Sequence, residues 1–452
     1  MRLTGVSVEG LFGLFDHEVH LRIDERITII HAPNGYGKTV LLKMISGFFG
    51  GTMSVFRSVE FKRFTLTFDD RTSIVIDQKL SENDALARNP KFARTYVVRR
   101  RSGRSVKRWS PDERPNASAE FYRRALPPSA IDTYAPHLRR VGPREWRDPS
   151  GDTLSYYDVI ERYWNHFPAS ARRSHPLPDW LQGIRDSIHC QLIETQRLMV
   201  LEKDFRQSAE APMMPAVKSY SDALAKKMSR VLADSATFSQ TLDRTFPKRL
   251  LERMRAGADF LPEDEIRRRL TELERKRARL AKADLLEKSD EGAVLSHDVF
   301  SDETLRIMTE YVTDADKKLA VFDDILSRIE LFTELLNSRF AFKSIVSNRE
   351  CGLIIKGING KTLDADSLSS GEQHELIMVY NLIFDTRADT LILIDEPEIS
   401  LHVAWQKKFL SDIRRIIKLN NVDIMLATHS PQIIGSNLDL TVQLKGPARG
   451  HS

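Results

Sequence analysis

The segment Ile27-Thr28-Ile29-Ile30-His31-Ala32-Pro33-Asn34-Gly35-Tyr36-Gly37-Lys38-Thr39 constrains the fold of this chain more than any other. An apolar, β-branched run leads into a loop of small residues, and the loop ends in Lys-Thr at the start of an apolar helical stretch, Thr39–Phe49. A chain that passes from a buried strand through such a loop into a helix gathers backbone N–H groups and the positive end of a helix dipole around one point. That arrangement suits a phosphate group. Lys38 is then placed to reach the β- and γ-phosphates of a nucleoside triphosphate, Thr39 to ligate Mg²⁺, and Asn34, Gly35 and Gly37 to line the loop. The leading glycine of the GxxxxGK[ST] pattern is Ala32 here, which the loop accommodates if φ is negative at that position.

A second segment completes the chemistry. Leu391-Ile392-Leu393-Ile394-Asp395-Glu396 is an apolar run ending in two carboxylates. A parallel strand buried on both faces is this apolar, and ligands of open α/β sheets bind at the carboxyl ends of the strands. Asp395 is expected to hold Mg²⁺, largely through water, and Glu396 to polarise an attacking water. Glu398 is read as a residue capping the next helix. A further apolar strand, Ile424-Met425-Leu426-Ala427, runs into Thr428-His429-Ser430, and Ser367-Leu368-Ser369-Ser370-Gly371-Glu372-Gln373 stands directly before a helix. Read locally, Ser370 is an N-cap for that helix.

Between these segments the patterning changes. The first eighty residues alternate like strands (Thr4–Val8, Glu18–Leu21, Ile27–His31, Ser58–Phe68, Ser73–Asp77). Residues 85–180 read as irregular, with a short strand after them at Ile188–Ile193. From Ala216 to Arg339 the pattern is helical, with Ile266, Leu270, Leu273 and Leu280 at three- and four-residue steps, and a break expected near Ser289–Gly292. Strands follow at Phe342–Val346 and Leu353–Ile358, then helix Gly371–Phe384, strand Thr390–Asp395, helix Val403–Ile417 and strand Val422–Thr428. The expected organisation is an α/β head in two pieces (1–84 and 341–452), a basic irregular insertion (85–186), a lobe junction (187–215) and a helical hairpin (216–340).

Composition narrows the function classes. No stretch approaches the roughly 20 apolar residues that span a bilayer, and the N-terminus lacks the pattern of a signal peptide. Two cysteines, Cys190 and Cys351, build neither a disulfide framework nor a zinc site. A cytoplasmic protein with no membrane partner is expected. The formal net charge of +5 is unevenly spread, since residues 91–175 alone carry 18 basic and 9 acidic side chains. The run Arg99-Arg100-Arg101-Ser102-Gly103-Arg104-Ser105-Val106-Lys107-Arg108 makes DNA or RNA a possible partner.

Four motifs in this order resemble the ABC-type ATPases, and the long helical insertion resembles their SMC, RecF and OLD-like branch. The fold implied is an ABC-type P-loop ATPase head with a mixed β-sheet N-terminal lobe, split by a mostly helical insertion. The resemblance implies ATP and Mg²⁺ as cofactors. It makes Ser369, Gly371 and Glu372 the signature that meets the γ-phosphate of a second protomer's ATP, and His429 the switch histidine. It also calls for a glutamine at the lobe junction, for which Gln196 is the candidate and Gln78 the runner-up. Asp395-Glu396-Pro397-Glu398-Ile399-Ser400-Leu401-His402 and Ala427-Thr428-His429-Ser430-Pro431-Gln432 look most like the OLD type. The chain ends about twenty residues after His429, so no Toprim nuclease domain is expected in it. The resemblance is therefore to the stand-alone ATPase subunits of two-gene antiphage systems (PARIS-like or Septu-like). It implies a homodimer or higher homo-oligomer that controls a separate effector, expected to be a nuclease; a RecF-like repair ATPase acting directly on DNA is the alternative.

Overall fold

The computed structural model describes residues 1–50, 55–80, 94–110, 128–135, 138–147, 153–156, 178–194, 199–201, 213–255, 259–287, 300–364 and 367–447, together with Met53, Val159 and Tyr163. The chain forms two compact units, one made of Met1–Met214 with Asp385–Ser452 and one of Pro215–Phe384.

The first unit contains two principal sheets. One is antiparallel, with β1 (Leu3–Leu11), β2 (Phe15–His20), β4 (Arg63–Phe68), β5 (Ser73–Leu80), β6 (Arg94–Ser102) and β7 (Ser105–Trp109) in the order β2-β1-β4-β5-β6-β7. The other is parallel, with β3 (Ile27–His31), β11 (Cys190–Glu194), β17 (Leu391–Asp395), β18 (Asp423–Thr428) and β19 (Thr441–Gln443) in the order β11-β17-β18-β3-β19. In β2, inward Phe15, His17 and Val19 alternate with exposed Asp16, Glu18 and His20, as one covered face requires. By contrast, β17 and β18 are apolar almost without interruption because both of their faces are buried. The helix Lys38–Gly50 lies in the same core, where Leu41, Met44, Ile45 and Phe48 join Val8, Leu11, Phe64, Leu66, Leu393 and Met425. At the far end of the parallel sheet, Arg2 donates through Nε and Nη2 to the Asp423 carboxylate at 2.9 and 2.5 Å, tying the start of β1 to the start of β18.

Smaller sheets of β8 (Arg139–Gly142), β9 (Glu145–Arg147) and β10 (Thr153–Ser155), and of β12 (Met199–Leu201) with β13 (Met213–Pro215), complete this unit. Buried Trp146 anchors the first of them and donates through Nε1 to Asp132 at 2.7 Å.

The second unit is helical. Its helices are Ala216–Arg255, Glu263–Lys282, Asp302–Ala320, Asp323–Asn337 and Ser370–Phe384, with a small sheet of β14 (Lys343–Asn348), β15 (Gly352–Gly357) and β16 (Thr362–Leu363). The 40-residue helix Ala216–Arg255 is about 60 Å long at ~1.5 Å per residue. Arg249 and Arg253 bind Glu310 and Asp314 of Asp302–Ala320, both acidic side chains being 6% exposed. The expected break at Ser289–Gly292 lies outside the described residues.

The structure departs from the sequence reading in several places. The hairpin expected over 216–340 is four helices among the described residues, and the helix Pro128–Tyr134 and strands β8 to β10 fall in the stretch expected to be irregular. Residues 94–109, expected to be irregular, form β6 and β7 and extend the antiparallel sheet. Ser58 ends a short helix, Val55–Ser58, and the strand begins only at Arg63. The helix expected over Val403–Ile417 is two, Val403–Gln406 and Phe409–Asn420. Finally, β14–β16 and Ser370–Phe384 pack with the helices, because Phe332 meets Tyr380 and Phe384 edge-on. Among the described residues no helix is long and apolar enough to cross a membrane.

Candidate nucleotide-binding site

The loop between β3 and Lys38–Gly50 needs glycine where the sequence provides it. Gly35 and Gly37 have φ of 87° and 82°, and a Cβ on Gly37 would come within 2.5 Å of Leu11 Cδ2. Ala32 is fully buried and is not among the positive-φ residues, so its methyl group is tolerated. The Lys38 ammonium is folded back onto the loop, donating to the Ala32 and Pro33 carbonyls at 2.9 and 3.2 Å and to Asn34 Oδ1 at 3.5 Å. Its side chain is only 3% exposed. A cation held this way by carbonyl dipoles is ready to exchange them for phosphate oxygens.

His17 braces the loop from below. Its Nε2 lies 2.8 Å from the Tyr36 carbonyl, and its ring stacks on Phe15, which also touches the Tyr36 ring. Burial holds the His17 pKa below the usual imidazole value, against the opposing Tyr36 hydrogen bond and the charge of Asp16. The imidazole is therefore neutral, and its Nε2–H donates to Tyr36.

The neighbouring strands deliver the carboxylates. Asp395 ends β17, and its Oδ1 accepts from Thr39 Oγ1 at 3.1 Å. This hydroxyl–carboxylate pair supplies two hard oxygen ligands side by side, which suits Mg²⁺. Glu396 follows with φ 44° and ψ 56°, a left-handed conformation uncommon for a side chain of this size. Its backbone N–H donates to the Ala427 carbonyl at 2.9 Å, which fixes the turn to β18. Its Oε1 stands 3.9 Å from Lys38 Nζ and 3.9 Å from His429 Nδ1. A strained backbone held by surrounding structure is a recurrent property of functional positions.

Glu398, read from sequence as a helix cap, does something else. It is nearly buried, and its Oε1 accepts from Thr428 Oγ1 (2.8 Å) and the His429 amide (2.7 Å) and lies 3.0 Å from His429 Nδ1. A carboxylate can only accept, so this oxygen offers the Nδ1 side of the imidazole an acceptor. Gln406 adds a second tie between the strand ends: Nε2 donates to the Glu398 and Leu401 carbonyls, and Oε1 accepts from Ser430 Oγ. The sequence reading gave Glu398 only a capping role and passed over Gln406, because their partners Thr428, His429 and Ser430 lie more than twenty residues away.

Thus Asn34, Gly35, Gly37, Lys38, Thr39, Asp395, Glu396 and His429 come together at the carboxyl ends of β3, β17 and β18. Gln196 lies outside the described residues. Gln78 is occupied structurally, donating to the Phe56 and Val59 carbonyls and accepting from the Phe61 amide.

The second unit carries the signature-like segment. Ser369, rather than Ser370, is the N-cap of Ser370–Phe384: Glu372 Oε2 accepts from the Ser369 amide at 2.7 Å, and the Glu372 amide faces Ser369 Oγ at 3.4 Å, a reciprocal capping box. Lys343 Nζ donates to Glu372 Oε2 at 2.8 Å and to the Ser367 carbonyl at 2.7 Å. Burial opposes charge on Glu372, but the hydrogen bonds from Lys343 and Ser369 outweigh it and hold the carboxyl below its usual pKa. Gly371 follows in the first helical turn.

A family model described as "AAA domain, putative AbiEii toxin, Type IV TA system" (AAA_21) matches residues 201–435. The chain belongs to the AAA_21 family. The matched span holds the signature-like segment, Asp395, Glu396, Glu398 and His429, and the loop from Ala32 to Thr39 lies before it. Membership identifies an AAA-type ATPase domain. No curated protein matches the chain. Among solved structures it is similar to the Smc head domain of Pyrococcus furiosus bound to the C-terminal domain of ScpA (13% identity, TM-score 0.31) and to the SMC head domain of Thermotoga maritima (9% identity, TM-score 0.32). Each alignment covers 96% of this chain and 91% of the other.

Proposed function

We propose that the chain binds ATP with Mg²⁺ and hydrolyses it to ADP and phosphate. The observation that carries this reading is the convergence of Lys38, Thr39, Asp395, Glu396 and His429 at adjacent strand ends of one unit. Lys38 neutralises the β- and γ-phosphates. Thr39 and Asp395 would hold Mg²⁺, which would supply charge to offset that of the phosphates. Glu396 takes the proton of the attacking water as its oxygen bonds to the γ-phosphorus and the β–γ bridging bond breaks. His429, oriented by Glu398, presents Nε2 to the γ-phosphate. Lys38→Ala is expected to weaken binding of a fluorescent ATP analogue at least tenfold while far-UV circular dichroism stays unchanged. Undiminished binding would remove Lys38 from the site.

The reading extends to assembly. Ser369 and Gly371 of one copy complete the nucleotide site of another, so that ATP joins two chains and hydrolysis releases them. The Lys343–Glu372–Ser369 brace supports this, because it fixes an exposed helix N-terminus without burying Ser369. The cycle controls a separate effector, a nuclease, in antiphage defence. The OLD-like strand-end sequences and the family description's reference to a Type IV TA system support a partnered role. Nuclease activity that copurifies with the wild-type chain and not with Lys38→Ala is the expected result. ATP-dependent loading of the purified chain alone onto gapped duplex would favour the RecF-like alternative.

A further inference from the structure

The basic run that the nucleotide site does not use has become a defined structural element. β6 and β7 are a hairpin at the edge of the antiparallel sheet, with Gly103 (φ 55°) at its tip. Their register sets Arg99 opposite Arg108 and Arg100 opposite Lys107, on two consecutive rungs. Like charges directly opposite on a ladder repel and work against pairing, so this register is unfavourable on its own account. Nothing between Arg94 and Trp109 is acidic. Asp77 binds Arg63 and Arg99, and Asp70 is the carboxylate whose charge couples to Arg100. Arg101, Arg104, Lys107 and Arg108 are exposed.

Because rungs alternate between faces, the charge falls on both sides of the sheet edge. Arg100, Ser102, Ser105 and Lys107 line a shallow polar cleft on one side. Arg99, Arg101 and Arg108 occupy the other. Hydroxyls beside cations are donors of the kind that meet phosphate oxygens. A flat anionic surface, whether an acidic protein face or a lipid headgroup layer, neutralises one side of such an edge. A groove with phosphates on both walls neutralises both. The major groove of B-form DNA, ~12 Å wide, admits a two-stranded β-ribbon. The corresponding groove of an RNA duplex is too narrow and deep.

We propose that the β6–β7 edge is a duplex-DNA binding element that seats between the phosphate strands of the major groove and contacts the backbone rather than the bases. The inference is independent of the nucleotide reading, and its test uses no ATP. The full-length chain is titrated against a fluorescent 25-base-pair DNA duplex at several salt concentrations, with Arg101→Ala/Arg104→Ala/Lys107→Ala as the comparison. Wild type is expected to bind with affinity falling steeply with salt. The triple variant is expected to lose at least tenfold in affinity and to flatten the log–log salt slope by about 2.7, three phosphate contacts at ~0.9 each. Arg101→Lys/Arg104→Lys, which keeps the charge, is expected to retain most of the binding and guards against a folding defect. Undetectable binding by wild type, equal affinity in the triple variant, or a preference for RNA duplex, polyglutamate or phosphatidylserine vesicles over DNA would each overturn the proposal.

Discussion

At the scale of single residues, the site depends on side chains whose position is set by a second group. The His429 side chain is 45% exposed, and Glu398 Oε1 accepts from its amide and from Thr428 Oγ1 and lies 3.0 Å from its Nδ1. Glu398→Gln replaces an acceptor oxygen with an amide and removes the charge that faces Nδ1. Turnover is expected to fall at least tenfold, with ATP-analogue affinity within about twofold of wild type. A full-rate Glu398→Gln enzyme would show that His429 needs no such partner. His17 makes a different prediction. Its pKa is lowered in the folded chain by burial, so between its folded value and the unfolded value of ~6.5 the unfolded chain binds more protons. Its contribution is fully present above pH 6.5 and is lost as pH falls towards the folded value. Wild type is expected to lose more thermal stability between pH 7.5 and 5.5 than His17→Gln, as followed by the unfolding midpoint in each buffer.

At the scale of elements, the sequence announced β3, β17 and β18 and the loop after β3, because continuous apolar runs leading to Lys-Thr or Asp-Glu have few other folds; it gave no sign of β19, three residues long. It concealed β6 and β7, since Arg99-Arg100-Arg101 shows no alternation of apolar and polar residues to mark a strand. The conformation there is set by pairing with β5, where Arg100 stands opposite Ile74. Glu398 was hidden for a related reason: an acidic residue after Asp395-Glu396-Pro397 reads as a cap until the distant Thr428 and His429 are known to face it. In the helical unit, Arg339 and Glu375 form an ion pair with side chains 3% and 0% exposed, which ties the residues just after Asp323–Asn337 to the second turn of Ser370–Phe384. Removing one member of a buried pair strands the other charge, typically at a cost of 3–5 kcal/mol. Glu375→Ala is expected to destabilise the chain by about 3 kcal/mol in urea unfolding. A change below about 1 kcal/mol would mean that Arg339 finds another partner.

At the scale of the whole molecule, the chain divides the segments of the proposed site between two compact units, with the loop from Ala32 to Thr39, both strand-end carboxylates and His429 in one and Ser369 in the other. The proposed cycle couples chemistry to assembly, and a change at Glu396 is expected to separate the two. The most direct measurement is steady-state phosphate release together with light-scattering mass, for wild type and Glu396→Gln with ATP and Mg²⁺. The expected result is hydrolysis by wild type, at least a hundredfold loss of it in Glu396→Gln, and an ATP-dependent dimer or larger oligomer that persists in the variant. Phosphate release by Glu396→Gln at the wild-type rate would contradict the assignment of the base and, with it, the proposed mechanism.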